Sequence, residues 1–161
     1  MAKTNFSRIL KLLASIIVCQ LAGFVGSIFT GPAIPSWYAN LTKPSFVPPN
    51  WIFGPVWISL FLLMGIAAFL VWQKGFGDRK VRISLGIFAV QLLLNTLWSI
   101  LFFGLKSPIL GFFDIVLLWI AILLTIIYFA RVSKAAAILL LPYIFWVSFA
   151  ALLNFSIWRI N

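Results

Sequence analysis

The sequence contains no histidine and no glutamate, and its only acids are Asp78 and Asp114. Paired carboxylates for acid–base work, a serine–histidine–aspartate triad and a histidine/cysteine metal site are therefore excluded. Cys19 is the single cysteine, so no intrachain disulfide can form and the redox compartment is unread. Haem iron would find no imidazole, only Cys19, Met64 and the tyrosines. Charge is scarce as well: 9% of the 161 residues are charged, against about 25% in a soluble domain, while 64% are hydrophobic. Such a chain cannot cover itself with polar surface in water. It reads as an all-α membrane protein, a single transmembrane domain over residues 1–161.

What charge there is has a pattern. The net charge of +10 would suggest nucleic acid in a soluble protein, but the 12 basic residues lie between apolar runs and act as topology signals, so no nucleic-acid partner is expected. A spanning helix needs roughly 20 mostly apolar residues. Five such runs are present, at about 9–29, 51–72, 83–103, 109–130 and 135–158, which predicts a five-transmembrane-helix bundle. The first run lacks a small-residue cleavage site and is too long for a signal core, so it is read as a retained span. Lys3, Arg8 and Lys11 share a side with Lys74, Arg79, Lys80, Arg82, Arg131 and Lys134; the other side has only Lys43, Lys106 and Arg159. The positive-inside rule puts the N-terminus in the cytoplasm and the C-terminus and the 30–50 loop outside. The short N-terminus without a transit peptide points to a bacterial cell membrane.

The 30–50 segment holds five prolines, which forbid a long helix, together with Trp37, Tyr38 and Phe46. It is either a lid over a site or an aromatic belt at the headgroups. Within the spans, Gln91, Asn95, Trp98 and Phe102 share one face of the third helix, as do Tyr143, Trp146, Ala150 and Asn154 on the fifth. Pro142 should loosen the start of that fifth span. Trp57, Phe61 and Met64 share a face of the second helix, and Gln20, Gly23 and Ser27 one of the first. Each amide alone reads as interhelical glue; together the faces could line a pocket for a flat, largely apolar ligand. Asp114, inside the fourth span, is either a functional acid or a structural one reaching water, Lys106 or a neighbouring amide.

One run is distinctive: Trp37-Tyr-Ala-Asn-Leu-Thr-Lys-Pro-Ser-Phe-Val-Pro-Pro-Asn-Trp-Ile-Phe-Gly-Pro-Val-Trp57. It is followed by Gln91-Leu-Leu-Leu-Asn95 with Trp98 and Phe102-Phe103-Gly104, then Asp114 heading an apolar run, then Leu141-Pro-Tyr-Ile-Phe-Trp146 with Phe149-Ala150 and Leu153-Asn154. In that order, and over nearly the whole chain, these blocks resemble the translocator protein family, also called tryptophan-rich sensory proteins or peripheral-type benzodiazepine receptors. The resemblance implies a five-helix bundle, commonly a homodimer, with a pocket that binds porphyrins and benzodiazepine- or isoquinoline-type ligands. By position it implies Tyr38, Pro48 and Pro49 as lid residues and Trp57, Asn95, Trp146 and Ala150 as pocket residues. Trp51 and Trp98 match nearby tryptophans, and Asn154 falls in the last block. The sterol-recognition stretch of animal members aligns with Ala150–Arg159, where Phe155 stands for the required tyrosine; the pattern fits instead at Leu124, Tyr128 and Arg131, but it is weak anywhere, and a sterol partner is not expected.

These readings converge on an integral membrane protein that binds a tetrapyrrole such as protoporphyrin IX as a sensor or handling protein. It needs no cofactor and no metal. Lys43 and loop amides are candidates to meet the propionates. Two alternatives stand beside it. One is a porphyrin or lipophile transporter, against which five spans give no inverted-repeat pairing. The other is a light-dependent porphyrin-degrading enzyme, with Trp57 and Trp146 as its catalytic residues.

Overall fold

The computed structural model describes residues 2–161, with side chains described from Phe6 onward. Among these residues the chain is helical and has no strand. The helices are α1 (Ala2–Ala33), α2 (Asn50–Trp72), α3 (Arg79–Ser99), α4 (Pro108–Ala130), α5 (Lys134–Leu139) and α6 (Leu141–Ile160). Five segments are long and apolar enough to cross a bilayer: Phe6–Ala33, Asn50–Trp72, Arg79–Gly104, Pro108–Ala130 and Lys134–Ile160. The protein is thus a multi-pass integral membrane bundle. α1 packs on α2 and α3, α3 on α4, and α4 on α6, with α5 wedged against α2 and α4.

The starts of three helices follow from local chemistry. The Asp78 carboxylate accepts from the Lys80 N–H (2.8 Å) and caps α3. Ser107 caps α4 just ahead of Pro108, and Ser133 caps α5. Gly75, at φ +95°, supplies the left-handed turn between α2 and α3. Lys106 turns the chain into α4 at φ 54°, a region that disfavours side chains.

Three features differ from the sequence expectation. α1 runs on to Ala33, because Pro32 falls in its last turn, where only one donor is lost. Past Ser99 the third span widens into a π-helical turn, Ile100–Gly104, in which the Leu105 N–H donates to the Ile100 carbonyl (2.8 Å). The fifth span breaks at Leu140, whose N–H donates to the Ala137 carbonyl (3.1 Å), and Pro142 sits at the start of the new helix α6. The last agrees with the loosening that Pro142 predicts.

Candidate functional site

The segment between α1 and α2 folds back over one end of the bundle, called here the loop end. A short 3-10 turn, Tyr38–Asn40, buries the Tyr38 ring, and burial pushes its phenol pKa up from the ordinary value. Trp37 meets Phe102 edge-on (5.5 Å between centroids), and Tyr38 lies 5.7 Å from Phe103. Phe102 and Phe103 are 4.8 Å apart. On a regular α-helix two consecutive rings diverge by a large angle; the π turn turns both toward the roof. Asn161 fastens the same segment from the other side, accepting from the Thr42 N–H (2.9 Å) and donating to the Thr42 carbonyl (2.9 Å).

Beneath this roof is a chamber of about 80 Å3. Tyr38, Phe53, Trp57, Trp98, Phe102, Phe103, Trp146, Ala150, Leu153 and Asn154 line it. Beside it a cleft of about 680 Å3 lies between α1 and α2, with Asn95, Trp98 and Ser99 of α3 along its wall. The two share Thr30, Ile34, Asn50, Phe53, Trp57 and Trp98. Neither wall includes an ionisable group other than the Tyr38 phenol. The Trp146 ring forms part of the chamber wall, while its indole N–H is buried without a hydrogen-bond partner among the described residues.

The amides are bound across helices. Asn95 donates to the Tyr143 hydroxyl (2.7 Å), which donates to Gln91 Oε1 (2.9 Å), and Gln91 in turn contacts Met64 Sδ (3.8 Å). This ties α3 to α6 and α2. The Trp98 indole donates to Asn154 Oδ1 (3.0 Å), and Asn154 donates to the Pro108 carbonyl (2.7 Å). The glue reading holds for all three amides, and Asn95 and Asn154 also border the cavities. In hydrocarbon such bonds are worth about 0.6 kcal/mol each on average, so their main effect is to fix helix orientation.

The structure thus brings Tyr38, Trp57, Trp98, Trp146, Ala150 and Asn154 together around the chamber, and Trp51 and Asn95 join Trp57 and Trp98 at the cleft. Pro48 and Pro49 line neither; Pro49 is the cap residue of α2, extended at ψ 139°, and sets the angle at which the roof meets that helix. Lys43 is turned away from both cavities. Its ammonium donates to the Ala39 and Leu41 carbonyls (3.1 Å each) and sits 4.9 Å from the Tyr38 ring centre. Asp114 is 4% exposed, and its Oδ2 has no partner among the described residues, so neither Lys106 nor an amide meets that oxygen. Phe53 and Phe103 were absent from the sequence-based site. Phe53 stands four residues before Trp57 on one helical face, a signal that was available; Phe103 depends on the π turn.

These features define a class: a five-span membrane protein with a roofed, tryptophan-lined chamber that opens beside a cleft between its first two spans. Residues 15–159 match the TspO/MBR family. The chain is 50% identical over 154 residues to the tryptophan-rich protein TspO of Archaeoglobus fulgidus, covering 95% of this chain and 98% of that one. It is 41% identical over 144 residues to the human translocator protein, covering 88% and 85%. It is 37% identical over 126 residues to the tryptophan-rich sensory protein of Cereibacter sphaeroides, covering 78% and 77%. The chain belongs to the TspO/MBR family.

Proposed function

We propose that this protein binds protoporphyrin IX, or a tetrapyrrole like it, within the membrane and acts as a sensor or handling protein for it. The observation that carries this reading is the joining of three tryptophans, Trp57, Trp98 and Trp146, around one uncharged chamber. Flat rings gain by stacking on such surfaces. The same features suit benzodiazepine- and isoquinoline-type ligands. A sensory role agrees with the name of the Cereibacter sphaeroides relative.

Iron should add little to this site, because burial raises the pKa of Tyr38, the one tyrosine on the chamber wall, and so holds it as the neutral phenol. Cys19 and Met64 are both buried in the core, outside either cavity wall, and the sequence has no histidine. No cofactor or metal is required, and no sterol site is invoked. Spectroscopic titration of the purified protein tests the reading. Protoporphyrin IX should bind at micromolar concentration or tighter, about −8 kcal/mol or better. Haem should bind no more tightly. Haem binding far tighter than the metal-free ring would sink the stacking account.

A second reading follows from Trp57 and Trp146 lining the same chamber. An indole there can give an electron to a photoexcited porphyrin, so the bound ring would be degraded in light. A transporter role has no comparable support: no ionisable relay runs through the chamber.

The protein resides, on this account, as a homodimer in a bacterial cell membrane, N-terminus in the cytoplasm and loop end outside. A cysteine at Asn40 should then react with an impermeant thiol reagent on intact cells, and one at Gly77 should not. The reverse labelling would invert the topology.

A further inference from the structure

The chamber and the cleft differ in a way that bears on how a ligand reaches the tryptophans. Ligand sites for molecules of drug size run to about 300–1,000 Å3. At about 80 Å3 the roofed chamber is too small for a whole tetrapyrrole, whereas the cleft, at about 680 Å3, is large enough. The roof above the chamber is fastened at Asn161 and packed on Phe102 and Phe103. The cleft has no such cover. Phe24 on α1 and Trp51 and Ile58 on α2 stand at its rim, and they are 64%, 74% and 62% exposed on the lipid-facing surface.

The two helices part toward the loop end. Toward the other end α1 and α2 are in backbone contact: a Cβ on Gly65 would come within 2.7 Å of the Ile16 Cα. The Gln20 side chain then bridges to the Ile58 carbonyl (3.1 Å). Beyond that bridge, Gly31 and Gly54 line the cleft, and a Cβ on either would meet nothing within 4 Å.

We infer that the α1–α2 cleft is the ligand's way in and the place where most of its ring rests: a flat lipophile dissolved in the bilayer passes sideways between the two helices and brings one edge past Trp57 and Trp98 into the chamber beside Trp146, while the roof stays shut. This rests on the tetrapyrrole reading of the chamber. No ionisable side chain lines the cleft, so the part of the ligand held there is uncharged, and charged substituents stay at the rim.

Filling the cleft tests this in proteoliposomes with protoporphyrin IX, followed by quenching of tryptophan fluorescence. Gly31→Phe and Gly54→Phe enter open space and leave the helix contacts intact. Each should weaken binding by about tenfold or more, because the ring's resting space is lost. Asn161→Ala frees the roof and should leave affinity and uptake rate as in the wild type. Gly86→Phe, on an exposed face of α3 away from both cavities, is the control. Wild-type affinity in both cleft variants, with faster uptake in Asn161→Ala, would overturn the inference in favour of the roof.

A second measurement separates this inference from the functional reading. A nitroxide label on Gly54→Cys should be relaxed by oxygen, which partitions into the bilayer, as strongly as one on Gly86→Cys. If the wild type binds no protoporphyrin, the functional reading fails, yet oxygen-accessible Gly54→Cys upholds the lateral opening. A label reached by a water-soluble nickel chelate but not by oxygen refutes it.

Discussion

At the end that carries the basic loops, Val71, Val81, Phe129 and Ala136 are wholly buried, Phe88 stacks on Phe129 at 5.6 Å, and the Ser84 hydroxyl lies 3.2 Å from the Tyr128 carbonyl of the neighbouring helix. At the loop end, tryptophans and phenylalanines meet mostly edge-on or tilted, a π turn interrupts the third span, and the helices stand apart around two cavities. Both ends are apolar. They differ in residue shape. Alanine, glycine and valine let backbones approach closely in a membrane, where there is no hydrophobic force between helices to draw them together. Large flat rings on proline-constrained backbone do not interdigitate so completely, and the spaces they leave are lined by π faces. One end holds the bundle and the other holds a ligand.

The largest expected effect comes from breaking the packed region. Gly65→Leu forces a side chain into the Ile16 backbone, which cannot yield as a flexible side chain would. It should destabilise the protein by at least about 2 kcal/mol, read as a clear fall in melting temperature in detergent. Gly54→Leu, in open space on the same helix, should leave the melting temperature unchanged. Equal losses in the two would erase the distinction between the ends.

Tyr143 stands at the boundary between the regions. Tyr143→Phe removes the hydroxyl that accepts from Asn95 and donates to Gln91, leaving two buried amides short of a partner. The expected cost is about 1–3 kcal/mol. Adding Asn95→Leu should cost less than the sum of the single changes, since one orphaned amide is then gone. Strict additivity in a double-mutant cycle would show that the bond carries no coupling.

The smallest effects sharpen the comparison at the tryptophans. Trp57→Phe and Trp146→Phe keep a ring but lose indole area and N–H. Protoporphyrin binding should weaken by about 0.5–1.5 kcal/mol, more for Trp57, which faces both cavities, than for Trp146, which faces one. Light-driven loss of the porphyrin absorbance band should slow far more than binding weakens. Trp72→Phe, at the basic end, should change neither. Equal decay in wild type, variants and protein-free detergent would remove the photochemical reading and leave binding.

How much of this was legible in the sequence depends on the range of the interaction. The five spans were, because each is a local run of apolar residues. The polar faces of the third and fifth spans were too, because i, i+4 spacing is a property of one helix: Gln91, Asn95 and Tyr143 were placed on inward faces and do meet there. The partners were not. Nothing in the sequence says that Asn154 bridges Trp98 and Pro108, or that Asn161 clasps Thr42 across 119 positions. The π turn was hidden as well, since Phe102 and Phe103 fit a regular helix equally well by pattern. Lys43 and Asp114 show the converse. Their charge drew attention, yet one folds back on its own loop and the other is enclosed by the bundle.

Amide hydrogen exchange of the protein in nanodiscs, with and without protoporphyrin IX, tests most directly whether ligand binding belongs to the loop end. Binding should slow exchange in residues 30–57 and 95–104, around the roof, the cleft and the π turn, and leave residues 73–88 and 131–140 unchanged. Protection confined to the basic-end segments, with the roof and the start of α2 unaltered, would contradict the account.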